Sequence, residues 1–229
     1  MSIILNIDTA TNIAIISIAD KGNVLAEISN SVQKDHSGFL HPGIQSLLKK
    51  AGLYFNDIEA IAVSAGPGSY TGLRIGMASA KGLCYALNKP LVTVSSLEIL
   101  AYATLLQMPP EQAGLEVLIC PMIDARRLEV FTALYNKSMN VVSPASALVL
   151  GENSFANYLL NYKVVFSGSG IEKWRKICDN PNAAFFEPDS NSLAMSNLSY
   201  EKYISKSFAD LAYVEPSYLK EFYSSGFIL

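Results

Sequence analysis

Two stretches of this chain follow a single plan, and that repetition limits the possible folds more than any other feature. Residues 3–19, IILNIDTATNIAIISIA, read as an apolar strand, an Ile-Asp pair, a few small or polar residues and a second apolar strand. Residues 117–135, VLICPMIDARRLEVFTALY, repeat the order, with Asp8 and Asp124 at equivalent tips. Turn-forming DTATN and DKGN separate the β-branched runs of the first unit and predict a meander, with VLAEI (24–28) as its third antiparallel strand. Helical spacing then takes over. Leu40, Ile44, Leu47, Leu48 and Ala51 form an apolar stripe that stops at Gly52. A strand is expected over 58–66, a long helix to about Leu87, a strand over 91–96 and a helix from Leu97. The second half is expected to add a helix near 152–160, a strand over 163–170, and helices near 171–178 and 193–208. The chain is therefore α/β, with one lobe over 1–107 and a second over 108–209, joined by the Pro- and Gly-rich MPPEQAG (108–114). Part of the Tyr- and Ser-rich end, 210–229, is expected to pack back on the first lobe.

Half of the 229 residues are hydrophobic and 16% are charged, against roughly 25% in soluble domains, so a core is easily filled and some apolar surface is left for a partner to cover. The longest runs without a charged side chain, 60–73 and 138–151, both contain Gly and Pro and are too short to span a bilayer of roughly 30 Å. The opening MSIILNIDTA has no basic segment and meets Asp8 early, so it reads as a strand in a cytoplasmic protein without membrane contact. Cys84, Cys120 and Cys178 form neither a disulfide framework nor a CxxC pair. A net charge of −3 gives the chain no electrostatic grip on nucleic acid by itself.

The doubled hairpin followed by mixed α/β structure resembles the two ribonuclease H-like lobes of the actin-like ATPase (ASKHA) group, which includes acetate and sugar kinases, actin and heat-shock ATPases. In its nucleotide-binding members the tips read Asp-x-Gly. Here Ala10 and Arg126 stand where those glycines would be, so Asp8 and Asp124 are expected to be turn residues or remnants of a metal site. Gly66, Gly68 and Ser69, within GPGSYTG (66–72), could receive an anion at a helix start or simply form a turn with an N-cap. The same choice applies to Gly168 and Gly170 of SGSG (167–170). Together Asp8, Asp124 and these residues make up a vestigial nucleotide or anion site.

The helix after GPGSYTG carries Gly72, Gly76, Ala78, Ser79, Ala80, Gly82 and Ala86, although each interior glycine costs about 1 kcal/mol relative to alanine. Something must approach it closely. Either it is an ordinary internal helix or, beside the stripe at 40–51, it forms a helix-bundle interface with a second chain. Catalytic groups are scarce. His36 and His41 lie about 140° apart around a helix, so they do not share a face as zinc ligands, and Ser69 has no GxSxG elbow and no histidine after it in the chain. No catalytic residue and no resident metal is expected.

The motifs IDTAT (7–11), HSGFLHP (36–42), GPGSYTGLRIG…AKGL (66–83), VSSLEILA (94–101), IDARRLEVF (123–131) and EPSYLK (215–220) together resemble the TsaB (YeaZ) family. These bacterial proteins belong to the machinery that installs threonylcarbamoyl on the adenosine beside the tRNA anticodon. The resemblance implies a noncatalytic scaffold that binds and activates a TsaD-like catalytic paralogue together with a TsaE-like ATPase. It implies contact with tRNA only through the complex, no cofactor of its own, ATP only within the complex, and a homodimer when the partner is absent. It also implies an interface through Leu40, Ile44, Leu47, Gly72, Arg74, Gly76, Met77 and Lys81. The catalytic sister carries a metal-binding His-x-x-x-His where this chain has Ser96 and Leu100, and neither can replace imidazole. Leu128, in place of a common Gly, and Lys220, in place of a common Arg, depart from the family pattern. The alternatives are an ATP-dependent phosphotransferase using Asp8 and Asp124, and a glycoprotease-like peptidase using a serine near Ser69.

Overall fold

The computed structural model describes residues 1–32, 36–109 and 117–220. Most of the expected linker and residues 221–229 lie outside them. The described residues form ten strands and six α-helices: β1 (Ile3–Asp8), β2 (Ala14–Asp20), β3 (Asn23–Asn30), α1 (His36–Ala51), β4 (Ala60–Ser64), α2 (Tyr70–Leu87), β5 (Leu91–Val94), α3 (Ser96–Gln107), β6 (Val117–Asp124), β7 (Glu129–Asn136), β8 (Val141–Val149), α4 (Ala156–Leu159), β9 (Lys163–Ser167), α5 (Ile171–Arg175), β10 (Ala183–Phe186) and α6 (Ser192–Ile204).

The duplication is literal. One sheet has the order β3-β2-β1-β4-β5 and the other β8-β7-β6-β9-β10; in each, the first three strands are antiparallel and the last two join in parallel. Asp8 and Asp124 end the central strands β1 and β6, as equivalent tips should. This is the two-lobed, ribonuclease H-like arrangement that the repeated hairpin predicts. Two elements have no counterpart among the expected ones, β8 and β10, and the helix expected over 152–160 is only one turn.

Each sheet is covered on both faces, which is why all six residues of β1 are buried. Its odd-numbered Ile3, Leu5 and Ile7 pack with Ile16, Ile18, Ile61 and Val63 against α1 and α2. Ile4 faces the other way, beside Ala60, Ala62, Val92 and Val94, against α3 and α6. Asn6 shares that second face, where its amide donates to Ser196 Oγ (3.2 Å) and its oxygen accepts from Ser199 Oγ (2.7 Å).

The last helix of each half crosses to the other half's sheet. From α3, Leu97, Leu100 and Ala101 pack on Ile119, Ile123, Ala133 and Tyr135 of the second sheet, while α6 lays Ala194, Met195 and Leu198 on the first. The chain therefore returns to the first lobe at Ser192, ahead of the boundary near 210 suggested by sequence. From there a strap continues along that lobe. Ala209 N donates to Leu91 O and Ser217 N to Ala65 O, and Leu211 and Val214 pack against the core beneath α2. At its end Lys220 pairs with Glu129 of the second lobe.

Candidate functional site

The two hairpin tips face a cleft between the lobes, and the start of α2 is tied to the first of them. Ser69 N donates to Ala10 O at 2.7 Å, Ser69 Oγ caps the helix by accepting from Gly72 N at 3.3 Å, and Thr9 Oγ1 donates to Gly72 O at 2.8 Å. A Cβ on Gly68 would stand 2.2 Å from Ala10 O, one on Gly72 2.1 Å from Thr9 O, and one on Gly76 2.3 Å from Thr9 Oγ1. The glycine spacing of α2 is thus answered from within the chain, by the turn that carries Asp8. Gly66, at φ +101°, is a left-handed residue pressed against Ser217 O of the strap.

Asp8 is buried. Desolvation pushes its carboxyl above the usual carboxylate range, an effect that the Ser64 hydroxyl, the Ala10 amide and nearby His36 only partly offset. Asp124 is half-exposed, accepts from Arg126 N at 2.6 Å and pairs with Lys173 at 2.9 Å. It is the turn residue that the sequence allowed. Asp124, Gly68, Ser69 and Arg126 border a cavity of about 510 Å³, and Asp8 borders an adjoining one of about 300 Å³ with Ser96, Leu100, Gly168 and Glu187; Thr11, Asn12, Ile123 and Ser169 line both. Among the described residues no three His, Cys, Asp or Glu side chains gather as a metal cage.

Gly168 and Gly170 are also packing glycines. At φ +95° Gly168 lies where a Cβ would be 2.4 Å from Leu100 Cδ2, and a Cβ on Gly170 would be 2.8 Å from Val130 Cγ1. Gly170 N donates to Met122 O at 2.9 Å, so this turn serves the contact between β9, β6 and α3.

The expected interface residues divide. Leu40, Ile44, Leu47 and Met77 are core residues of the first lobe, and Gly72 and Gly76 face the Asp8 turn, so these six are enclosed by their own chain. The reason is geometric: the stripe that is apolar enough to suggest a partner is the stripe that the sheet needs. Arg74 and Lys81 do reach the surface, where the strap holds them. Arg74 Nε donates to Tyr218 Oη (3.2 Å) and its guanidinium lies 4.2 Å from the Tyr70 ring centroid, while Lys81 Nζ donates to Ala212 O (3.4 Å) and Val214 O (3.2 Å). The outward stripe of α2 is instead Thr71, Arg74, Ala78, Gly82 and Tyr85, at helical spacing. Beside it α1 presents His41, Gln45 and Lys49, with His41 Nε2 and Ser79 Oγ 3.4 Å apart. A Cβ on Gly82 would meet nothing within 4 Å.

The sequence reading excluded His36 as a zinc ligand but did not find its role. The residue is buried at the start of α1 with Nε2 3.2 Å from Thr11 O, so it braces the same turn as Gly68 and Gly72; its adjacency to Asp8 is tertiary and left no mark in residue spacing. Lys173, the partner of Asp124, likewise comes from a distant helix. Ser69, the serine nearest a peptidase reading, serves as an N-cap without a histidine partner.

The sequence model of TsaD, tRNA N6-adenosine threonylcarbamoyltransferase, matches residues 23–221. The chain belongs to this family. Among curated relatives, "tRNA threonylcarbamoyladenosine biosynthesis protein TsaB" of Bacillus subtilis is 37% identical over 65% of this chain and 63% of its own length. The protein of the same name from Haemophilus influenzae is 25% identical over 95% of this chain and 93% of its own. The match thus spans under two thirds of the Bacillus relative and nearly all of the Haemophilus one. Among solved structures, YeaZ from Pseudomonas aeruginosa superposes with a TM-score of 0.76 over 96% of this chain and 100% of that one, at 24% identity, which speaks for the fold. The activator of the 2-hydroxyisocaproyl-CoA dehydratase from Clostridium difficile and the Lmo2764 protein from Listeria monocytogenes superpose with TM-scores of 0.50 and 0.52, both at 11% identity. No helix among the described residues is long and apolar enough to cross a membrane.

Proposed function

We propose that this chain is a noncatalytic subunit that binds and supports a TsaD-type paralogue in making tRNA threonylcarbamoyladenosine, and that it docks through the outward faces of α1 and α2. One observation carries the docking assignment. Gly82 is a glycine in the interior of an eighteen-residue helix, open to solvent, with no contact among the described residues to justify it. A position that costs about 1 kcal/mol of helix stability is explained if another backbone comes close there. Ala78 and Ala86 continue the small surface, and exposed Tyr85 beside them is of the type that anchors interfaces.

The lack of chemistry in the cleft supports the noncatalytic part. Asp8 is buried and Asp124 is held by Lys173 and Arg126 N, the glycines of both phosphate-type turns are occupied by internal packing, and Ser96 and Leu100 stand where the family resemblance puts the sister's metal ligands. Association with a TsaE-like ATPase, ATP use within the assembled complex, contact with tRNA through that complex, and self-pairing by the same α1–α2 face in the partner's absence complete the reading.

The test is co-expression with the organism's TsaD-type protein, followed by light scattering and a transfer assay with tRNA and threonylcarbamoyl-adenylate. The expected result is a stable hetero-complex, with transfer requiring both chains. Transfer by this chain alone, or no complex at micromolar concentrations, would refute the proposal.

A further inference from the structure

The end of α1 borders a notch of about 320 Å³, and the turn that stops the helix shapes it. Gly52, at φ +67°, lets its own N donate to Lys49 O (3.2 Å) and Leu53 N donate to Leu48 O (2.9 Å), so the last carbonyls of the helix are bonded within the turn. Leu48, Leu53 and Phe55 join the core of the first lobe and give the notch an apolar floor. Gln45, Lys49 and Tyr54 are exposed around it, Tyr54 by 79%.

Charge is the second observation. Acidic residues outnumber basic ones 20 to 17 in the whole chain, yet α1 and α2 carry Lys49, Lys50, Arg74 and Lys81 and no Asp or Glu. The strap holds the two cations of α2. Nothing comparable holds those of α1: the five ion pairs among the described residues all form elsewhere, and Asp57, the carboxylate nearest to the notch in sequence, accepts from Tyr54 N at 2.7 Å. Lysines in a last turn also favour the helix dipole, by only about 0.3–1 kcal/mol at an exposed site.

Two ammonium groups without carboxylate partners, beside an apolar notch and an exposed tyrosine, suit a protein surface that brings carboxylates together with an apolar side chain. Tyrosine is a common interface anchor, and opposite charges steer the encounter. A phosphate backbone would meet the lysines but has nothing to fill the notch.

Gln45 and Lys49 lie on the outward face of α1, so the notch continues the docking surface proposed above, and the inference rests on that reading. We propose that the docked subunit seats an apolar side chain from an acidic segment in this notch, with Lys49 and Lys50 facing its carboxylates and Tyr54 packing on the apolar group.

The experiment measures association and dissociation rates of the full chain with the TsaD-type protein by surface plasmon resonance, over about 0.05–0.5 M salt. It compares the parent with Lys49→Glu/Lys50→Glu, with Tyr54→Ala, and with Lys176→Glu, a charge reversal at the exposed end of α5 in the second lobe. The parent's association is expected to slow with salt. The double reversal is expected to associate about tenfold more slowly at low salt and to lose the salt dependence. Tyr54→Ala is expected to bind about thirtyfold more weakly, mainly through faster dissociation, and Lys176→Glu to match the parent. Parent affinity in the double reversal or in Tyr54→Ala overturns the proposal, as does an association rate indifferent to salt. So does a loss of self-association, or of tRNA binding by the chain alone, that leaves binding to the TsaD-type protein unchanged, since the notch then belongs to a second copy or to nucleic acid. If the parent forms no complex, the docking reading has failed and this inference with it, a result seen before any variant is compared.

Discussion

Replacing Gly82 with leucine separates an outward glycine from an inward one. Nothing stands within 4 Å of a Cβ at this position, so the side chain enters solvent without strain. Glycine is about 1 kcal/mol worse than alanine inside a helix and leucine only slightly worse than alanine, so Gly82→Leu is expected to stabilise the isolated chain by about 0.8 kcal/mol. For a protein of this size that raises the melting temperature by about 2–3 °C. The same leucine would hold an approaching helix away, and overpacking of about 1–3 kcal/mol at the contact predicts a loss of about 5- to 150-fold in partner affinity.

Gly76→Ala should do the reverse. Its Cβ would lie 2.3 Å from Thr9 Oγ1 and 3.4 Å from Val63 Cγ2, and would disturb the hydroxyl that bonds Gly72 O. After the gain in helix propensity, a net loss of about 1–3 kcal/mol remains, with little direct effect on docking. Calorimetry of each variant alone and with the TsaD-type partner reads both quantities. A lower melting temperature for Gly82→Leu, or wild-type affinity in that variant, would refute the outward assignment; unchanged stability of Gly76→Ala would refute the inward one.

Asp8→Asn is expected to be at least as stable as the parent at neutral pH. Because burial raises the Asp8 pKa above 3.8 in the folded chain, the folded state holds more proton than the unfolded one between 3.8 and the raised value, and stability falls as pH climbs through that window. Urea denaturation from pH 3.5 to 8 should show this decline shrinking in the variant, and a variant less stable at pH 7 would contradict it. Burial pushes the Cys84 and Cys120 thiols up to about 12, so thiol titration of the native protein at pH 8 should label Cys178 at most, with the other two reacting only in denaturant. Gly68→Ala should cost stability through its clash with Ala10 O, and an unchanged urea midpoint would count against that contact.

The doubled hairpin was legible because β1, β2, β6 and β7 are long, β-branched and separated by turn residues, and it alone led to the two-lobed fold. β8 was not, because VVSPASALV is an edge strand with Pro144 and small residues in its middle, paired with β7 and exposed along most of its length. β10 is only four residues long. For α1 and α2, periodicity located the helices but not the direction of their faces. A helix that is apolar over much of its circumference does not declare which side the sheet takes, and the glycines of α2 answer to Thr9 and Ala10, far away in the chain. The roles of His36 and Lys173 depended on tertiary proximity in the same way.

The return of α6 to the first sheet bears on how the molecule is made. Strands β1, β4 and β5 leave the ribosome early, yet Ala194, Met195 and Leu198, which cover Ile4, Ala60 and Val92, arrive only after the whole second lobe has been translated. Until then the nascent first lobe carries a bare apolar flank, the sort of surface that chaperones hold and that aggregates when left alone. A chain cut short before Ser192 would keep that flank for good.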